Sequence, residues 1–304
     1  FGNAFNSFKK LLRSPNRFFS TRLETLSALS EKTTSISSCL KTEMVYIQRQ
    51  PLTNQANADN NHLPELMKTL QQTREDIFQE SNIVIDFVFP IGNHRQDRCY
   101  ASLPPQKTLG WRILPDDHSA NTVEIIHSSI VTMFGLTAPG GASLTIDLPA
   151  RGQVSVLSLN GANIGAVWTQ ETQSGLLKTR ISLAPTAPTD LFANPAPFGR
   201  WTLEHEGNET LDLWVMRDET GFEDVPGQHF RSSWLEDDVY QEFDKYGRPI
   251  MDDPDPLTPD TLVLRAGTAS LLADSRTGAT VVGALSKSGP GQALEVAPYS
   301  SARK

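Results

Sequence analysis

The chain has 304 residues, an ordinary apolar fraction and a formal net charge of −8. That is enough length for roughly two domains with a real core, and too acidic for a general nucleic-acid binder, which needs a basic face to neutralise phosphate. The 2 cysteines, Cys39 and Cys99, exclude a disulfide framework and a Cys-rich zinc site, and two free thiols are the expected state.

The first 40 residues have helical character, with Leu23, Leu26 and Leu29 near helical spacing and Pro15 breaking any helix before them. Lys9, Lys10, Arg13, Arg17 and Arg22 precede the first acidic residue. An organelle transit segment is the minor alternative there, and an unbroken apolar signal core is absent. No stretch reaches the roughly 18 apolar residues of a membrane helix, so a soluble chain is expected; its compartment is left open, with the cytoplasm slightly favoured. A chain that opens on Phe1 rather than Met also reads as an excerpt.

Met44–Ile47 is a short strand candidate, followed by an Asn-rich loop from Leu52 to Asn61. A helix is then predicted from the apolar stripe Leu63, Leu66, Met67, Leu70, Ile77 and Phe78, with Pro64 and Glu65 suiting its first turn. Next comes Ile83-Val84-Ile85-Asp86-Phe87-Val88-Phe89, an apolar, β-branched run that ends in Pro90-Ile91-Gly92-Asn93. Strand, helix, strand predicts a βαβ unit and a parallel sheet. Gly-Asn is a common turn pair, and a turn is the plainer reading of those two residues alone. The sharper reading is an amide held at the carboxyl end of a strand, where it can donate a hydrogen bond to a developing oxyanion.

From about Trp111 to Asp218 the texture changes to short alternating runs between Gly, Pro and Asn. Strands are predicted at Val123–His127, Ile130–Phe134, Ser143–Leu148, Gln153–Leu159, Ala162–Trp168, Leu176–Leu183, Arg200–Glu206 and Leu211–Arg217. That pattern predicts a β-sandwich or jelly roll. Glu219–Pro259 reads as an irregular connector, acidic and Pro-rich from 236 to 259. Leu262–Leu264, Ala279–Leu285 and Ala297–Ser301 return to buried-strand style. The expected fold is therefore α/β, a partial parallel sheet with flanking helices, interrupted by an all-β insertion. The expected divisions are 1–97 with 260–304 for the core, 98–235 for the sandwich and 236–259 for the connector.

Three separated segments carry a resemblance. Pro90-Ile91-Gly92-Asn93 resembles the oxyanion-asparagine motif of subtilisin-like serine peptidases. Val281-Val282-Gly283-Ala284-Leu285 resembles the strand before their serine segment, and Pro298-Tyr299-Ser300-Ser301 their Tyr-Ser-Ser turn. The likeness covers about residues 40–304, with Gly267-Thr268 fitting the approach to the second strand, and some bacterial members of that family carry a jelly roll at this point. It implies peptide-bond hydrolysis by a Ser-His-Asp triad, a peptide or protein substrate, no cofactor, and Asn93 as oxyanion-hole donor. The family's aspartate, histidine and serine motifs are not among these 304 residues. The chain by itself is therefore expected to lack peptidase activity. Gln48-Arg49-Gln50-Pro51 also departs from the small residues the family places along its substrate groove. Gly267-Thr268-Ala269-Ser270 precedes the Val281 strand instead of following Tyr299, which argues against Ser270 as nucleophile. The alternative is a non-catalytic pseudoenzyme or a β-sandwich binding or scaffold module.

Other clusters read more plainly. Asp116, Asp117 and His118 are expected in a solvated loop rather than around a metal, because adjacent strand residues face opposite ways. His62, His94, His118, His127, His205 and His229 lack zinc-protease spacing, and a surface role is expected for His94. Asp252, Asp253, Asp255 and Asp260 offer calcium-type oxygens, although a solvated connector is the expected reading. Trp168, Trp201 and Trp214 are expected in the core, with a sugar-binding face as the alternative.

Overall fold

A computed structural model describes residues 62–302, apart from 83, 85, 129–133, 147–150, 173–174, 191–192, 217–230, 252, 254–259, 270–278 and 288–292. The predictions at Leu23–Leu29, Met44–Ile47, Gln48–Pro51, Cys39, His229 and Ser270 lie outside these residues.

The helix forms close to where its pattern predicts, as α1 (His62–Ser81). Leu70, Thr73 and Ile77 are buried, which fits one face at spacings of three and four. The opposite side is wet, and Gln71–Glu75 and Gln72–Asp76 form side-chain hydrogen bonds four residues apart along it. Phe78, assigned to the apolar stripe, is instead half exposed. The Arg74 guanidinium lies 5.1 Å from the centre of the Phe87 ring, which is buried just before the next strand.

The α/β expectation is overturned. The described residues are mostly β and mostly antiparallel, with α1 their only α-helix. Parallel pairing is confined to one two-stranded ladder, β1 (Val88–Pro90) on β14 (Thr280–Val282). The run at 83–89 was expected to be strand throughout, yet only its end enters this ladder, and Val84 is 78% exposed. An apolar, β-branched run reports a tendency to be buried or extended; it does not report where a ladder partner begins.

The bulk of the structure is a sandwich of two antiparallel sheets. Its strands are β2 (Tyr100–Leu103), β3 (Thr108–Ile113), β4 (Asn121–His127), β5 (Phe134–Thr137), β6 (Ser143–Ile146), β7 (Val154–Leu159), β8 (Ala162–Glu171), β9 (Leu177–Leu183), β10 (Gly199–His205), β11 (Leu211–Val215), β12 (Trp234–Glu236) and β13 (Val263–Leu264). One sheet runs β12-β3-β10-β5-β6 and the other β13-β2-β11-β4-β9-β8-β7. A short antiparallel pair, β15 (Leu285–Ser286) with β16 (Glu295–Val296), follows β14.

The alternation of side chains explains the core. Leu109, Trp111, Ile113, Phe134, Leu136, Trp201, Leu203 and Leu235 come from the first sheet. They meet Ala101, Leu103, Val123, Ile125, Val167, Ile181, Leu211 and Leu213 from the second. Trp111 and Trp201 are register partners with no exposed surface. Their indole N–H groups are satisfied within the protein, Trp111 donating to Ser233 Oγ at 2.9 Å and Trp201 to the Pro197 carbonyl at 2.9 Å.

Gly165 on β8 shows how tightly the second sheet is built. A Cβ there would lie 2.3 Å from the Ser182 carbonyl oxygen and 3.2 Å from Leu183 Cα, both backbone atoms of β9. Gly165→Ala is therefore expected to lower unfolding free energy by about 1–3 kcal/mol, the usual range for overpacking, in denaturant titration.

Candidate functional site at the end of the parallel pair

The site is built where β1 and β14 stop. Val88, Phe89 and Pro90 pair with Thr280, Val281 and Val282, and the Ile91 N–H extends the ladder to the Val282 carbonyl at 2.8 Å. Gly92 then takes φ = +122°, a conformation open to glycine and strained for residues with a Cβ. The chain turns there, and Asn93 follows as an exposed residue in a bend. No hydrogen bond to a described residue engages the Asn93 amide.

The segment Ala297–Ala302 closes against both strand ends. The pattern of Ala297–Ser301 predicts a strand, but the segment is a turn, held by Ser300 N–H to the Ala297 carbonyl at 2.9 Å. Pro298 and Ser300 leave the chain without a continuous ladder, so the apolar flavour of Ala297 serves burial instead. Ser300 Oγ accepts from the Ala284 N–H at 3.1 Å, just past β14. Ser301 N–H donates to the Gly92 carbonyl at 2.9 Å, and Ser301 Oγ accepts from the His94 N–H at 2.8 Å. The Arg95 N–H reaches the Tyr299 carbonyl at 3.3 Å. Ser300 and Ser301 are both buried.

His94 is not the surface residue its sequence context suggests. Its side chain is 17% exposed, and Nδ1 lies 2.7 Å from Asp97 Oδ2. Nε2 is buried with no hydrogen-bond partner among the described residues. A polar residue in a bend reads as solvated from local sequence; the packing of residues 299–301 against the bend makes it otherwise.

From this turn the structure continues to the sandwich. Thr268 N–H donates to the Ala302 carbonyl at 3.0 Å, and the Ala302 N–H donates to Thr268 Oγ1 at 3.2 Å. Gly267, at φ = +74°, lies under the Tyr100 ring and accepts the Trp214 indole N–H on its carbonyl at 3.1 Å. Tyr100 and Trp214 stack at 4.8 Å between centroids. The Tyr100 hydroxyl donates to Asp212 at 2.7 Å, and burial with that carboxylate beside it pushes its pKa well above the usual phenol range.

The other sequence candidates separate. Asp117 is fully buried, which corrects its assignment to a solvated loop. Its carboxylate accepts from Ser119 N–H and Oγ, Asn121 Nδ2 and Arg231 N–H at 2.7–3.1 Å, and four donors are what make burial of a charge tolerable. Asp116 is exposed and His118 half-buried, so the three do not converge. Asp253 is likewise turned inward: its side chain is 9% exposed and lies against Arg265, 1% exposed, whose guanidinium also covers the Tyr240 ring at 4.6 Å. Burial raises the Asp253 pKa above the usual carboxylate value. Asp260 is exposed, and Asp252 and Asp255 lie outside the described residues, within which no group of three metal-ligating side chains converges.

His127 is buried against Thr179, with Nε2 and Oγ1 3.0 Å apart, and His205 is buried with Nε2 2.5 Å from the Glu209 carbonyl. His62 begins α1. Trp201 and Trp214 are core residues and cannot line an open sugar-binding face; Trp168 is half-buried, with Arg180 5.9 Å from its ring. Cys99 is buried. No helix among the described residues is long and apolar enough to cross a membrane. Sequence reasoning missed Ser301 as a partner of residues 92–94, because only the paired strand ends bring these distant segments together.

No family model matches the chain, and no curated protein matches it. Among solved structures, one described as the structure of the Clostridium perfringens CspB protease aligns with a TM-score of 0.43 and 13% identity. The alignment covers 83% of this chain and 51% of that one, so the chain spans about half the length of that structure. At this score the likeness carries no functional assignment.

Proposed function

We propose that this chain supplies the oxyanion-binding corner of a subtilisin-like serine peptidase, with Asn93 as donor and a β-sandwich built beside it. One observation carries the reading. The three segments that resemble the family in sequence, 90–93, 281–285 and 298–301, meet at the carboxyl ends of one parallel strand pair, with the Asn93 amide left exposed. An amide so placed donates to the oxygen that becomes negative when a peptide carbonyl is attacked. Its value depends on the backbone that carries it being held before the charge develops, as the bonds from Gly92 and His94 to Ser301 hold it.

The test is hydrolysis of fluorogenic peptides by the longest product of the reading frame, with a serine-directed phosphonate as probe. Asn93→Ala is expected to lower kcat about 100- to 1,000-fold with KM little changed, the effect of losing one oxyanion donor. Retention of full kcat by Asn93→Ala would end the reading.

A binding module is the second reading, and β7 favours it. Among the described residues that strand ends its sheet, and Val154 and Val156 on it are 67% and 61% exposed. An uncovered strand edge with apolar side chains can accept an extended peptide as a further strand. An intact kcat in Asn93→Ala, with peptide binding lost on Val156→Lys, is the result that would select it.

A further inference from the structure

We infer that Ser301 is the positioning residue for Asn93, a role that rests on the oxyanion reading above. Ser301 holds the peptide groups on both sides of Asn93. Its N–H donates to the carbonyl of Gly92 at 2.9 Å, and its hydroxyl accepts the N–H of His94 at 2.8 Å. The Asn93 Cα is therefore bracketed between two hydrogen bonds made to one residue. Only the hydroxyl bond depends on the side chain, so it can be removed while the backbone bond stays.

The bracket is needed because Gly92 is the freest residue in the bend. At φ = +122° it has no Cβ to restrict it, and without a second restraint the following residue would sample several directions. Ser301 itself is 4% exposed and anchored through Ala302 to Thr268 by two hydrogen bonds of 3.0 and 3.2 Å. The clamp is thus attached to a fixed segment. Its neighbour Ser300 repeats the device on the other strand, accepting the Ala284 N–H at 3.1 Å. Two consecutive serines grip the ends of two parallel strands, and the one on the β1 side fixes the amide-bearing residue.

Displacing a reacting or stabilising group by about 1 Å can cost on the order of 100-fold in rate. Ser301→Ala is expected to lower kcat about 10- to 100-fold with KM within about twofold. Ser301→Thr keeps the acceptor oxygen and is expected to restore kcat. In an Asn93→Ala background Ser301→Ala is expected to add nothing, since the group it positions is gone. In parallel, amide hydrogen exchange in the 304-residue chain reads the clamp directly, with the His94 N–H losing protection in Ser301→Ala and keeping it in Ser301→Thr.

The failures are distinguishable. If Asn93→Ala leaves kcat intact, the oxyanion reading falls and this inference with it. If Asn93→Ala is slow while Ser301→Ala is not, the reading stands and the inference is wrong. If the two effects multiply, or if the threonine variant is as slow as the alanine one, Ser301 supports the fold generally and does not position Asn93.

Discussion

Glu124→Ala is expected to cost about 3–5 kcal/mol of stability, read as a large fall in the denaturant midpoint with the slope unchanged. Glu124 lies in the middle of β4 with no exposed surface. Two cations of β9 flank its carboxylate. Arg180 Nε lies 2.5 Å away, and Lys178 Nζ, with 1% of its side chain exposed, 3.8 Å away. Removing the anion leaves a buried ammonium without that counter-charge, and the desolvation cost of the lysine is no longer offset.

The expected pH dependence follows from the lysine. Burial already lowers the Lys178 pKa, and the nearby Arg180 charge pushes the same way, while Glu124 opposes both. Without Glu124 the folded-state pKa drops further, whereas the unfolded value stays near 10.4. Between those two values the unfolded chain binds more protons than the folded one, so stability rises with pH. The deficit of Glu124→Ala relative to the parent is therefore expected to narrow from pH 7 to pH 9.5. Glu124→Leu with Lys178→Met, which removes both charges of the buried pair, is expected to recover most of the loss. A deficit that is the same at both pH values would show that Lys178 is not the group left stranded.

Gly267→Val is expected to cost about 2–5 kcal/mol, for two reasons that add at one atom. The backbone at φ = +74° is strained for any residue with a Cβ and most for a β-branched one, about 1–2 kcal/mol. A Cβ would also stand 2.8 Å from two carbons of the Tyr100 ring, and that ring cannot retreat because it stacks on Trp214. Overpacking of this kind typically adds a further ~1–3 kcal/mol. Trp214 reports the event, since its indole N–H bonds the Gly267 carbonyl. Its emission is expected to shift to the red in the variant under native conditions, with Gly267→Ala intermediate in both stability and shift. An unshifted spectrum and an unchanged melting temperature would refute the packing argument.

The strands of the sandwich were largely legible, and the reason is local. Val154–Leu159, Ala162–Glu171, Leu177–Leu183, Gly199–His205 and Leu211–Val215 each fall close to a predicted run, because alternation and turn residues act over a few neighbours. Of the run expected at Ile130–Phe134 only Phe134 lies among the described residues, and it is the first residue of β5. Tyr100–Leu103 and Trp234–Glu236 carry too few residues to show a period, and their membership of a sheet is decided by distant partners. Glu124 and Lys178 show where alternation stops being informative. Alternation marks them as outward-facing, yet every residue of β4 is buried, so facing away from the sandwich core is not the same as facing water.

The candidate site was half legible. Gly92-Asn93 stands out because a run of apolar residues stops at a conformationally special pair. The burial of His94, the turn at Ala297–Ser301 and the bracket around Asn93 exist only after β1 and β14 pair, and no short-range pattern encodes that meeting. The expected parallel α/β core failed on the same ground: its evidence was a βαβ texture, and the described residues pair in parallel over only three positions.

The register of that ladder joins residues roughly 190 apart in the chain, Val88 with Thr280. Three rungs of backbone bonding are poor compensation for closing so long an unfolded loop. Once the sandwich has condensed, Tyr100, Trp214 and Gly267 already hold the two ends of the intervening chain near one another, and the remaining closure is short. The corner bearing Asn93 is thus expected to form late in folding, after the sandwich. A nascent or partly folded molecule is expected to lack this corner, so on the oxyanion reading proposed above the β-built body would act as a timer on the site beside it.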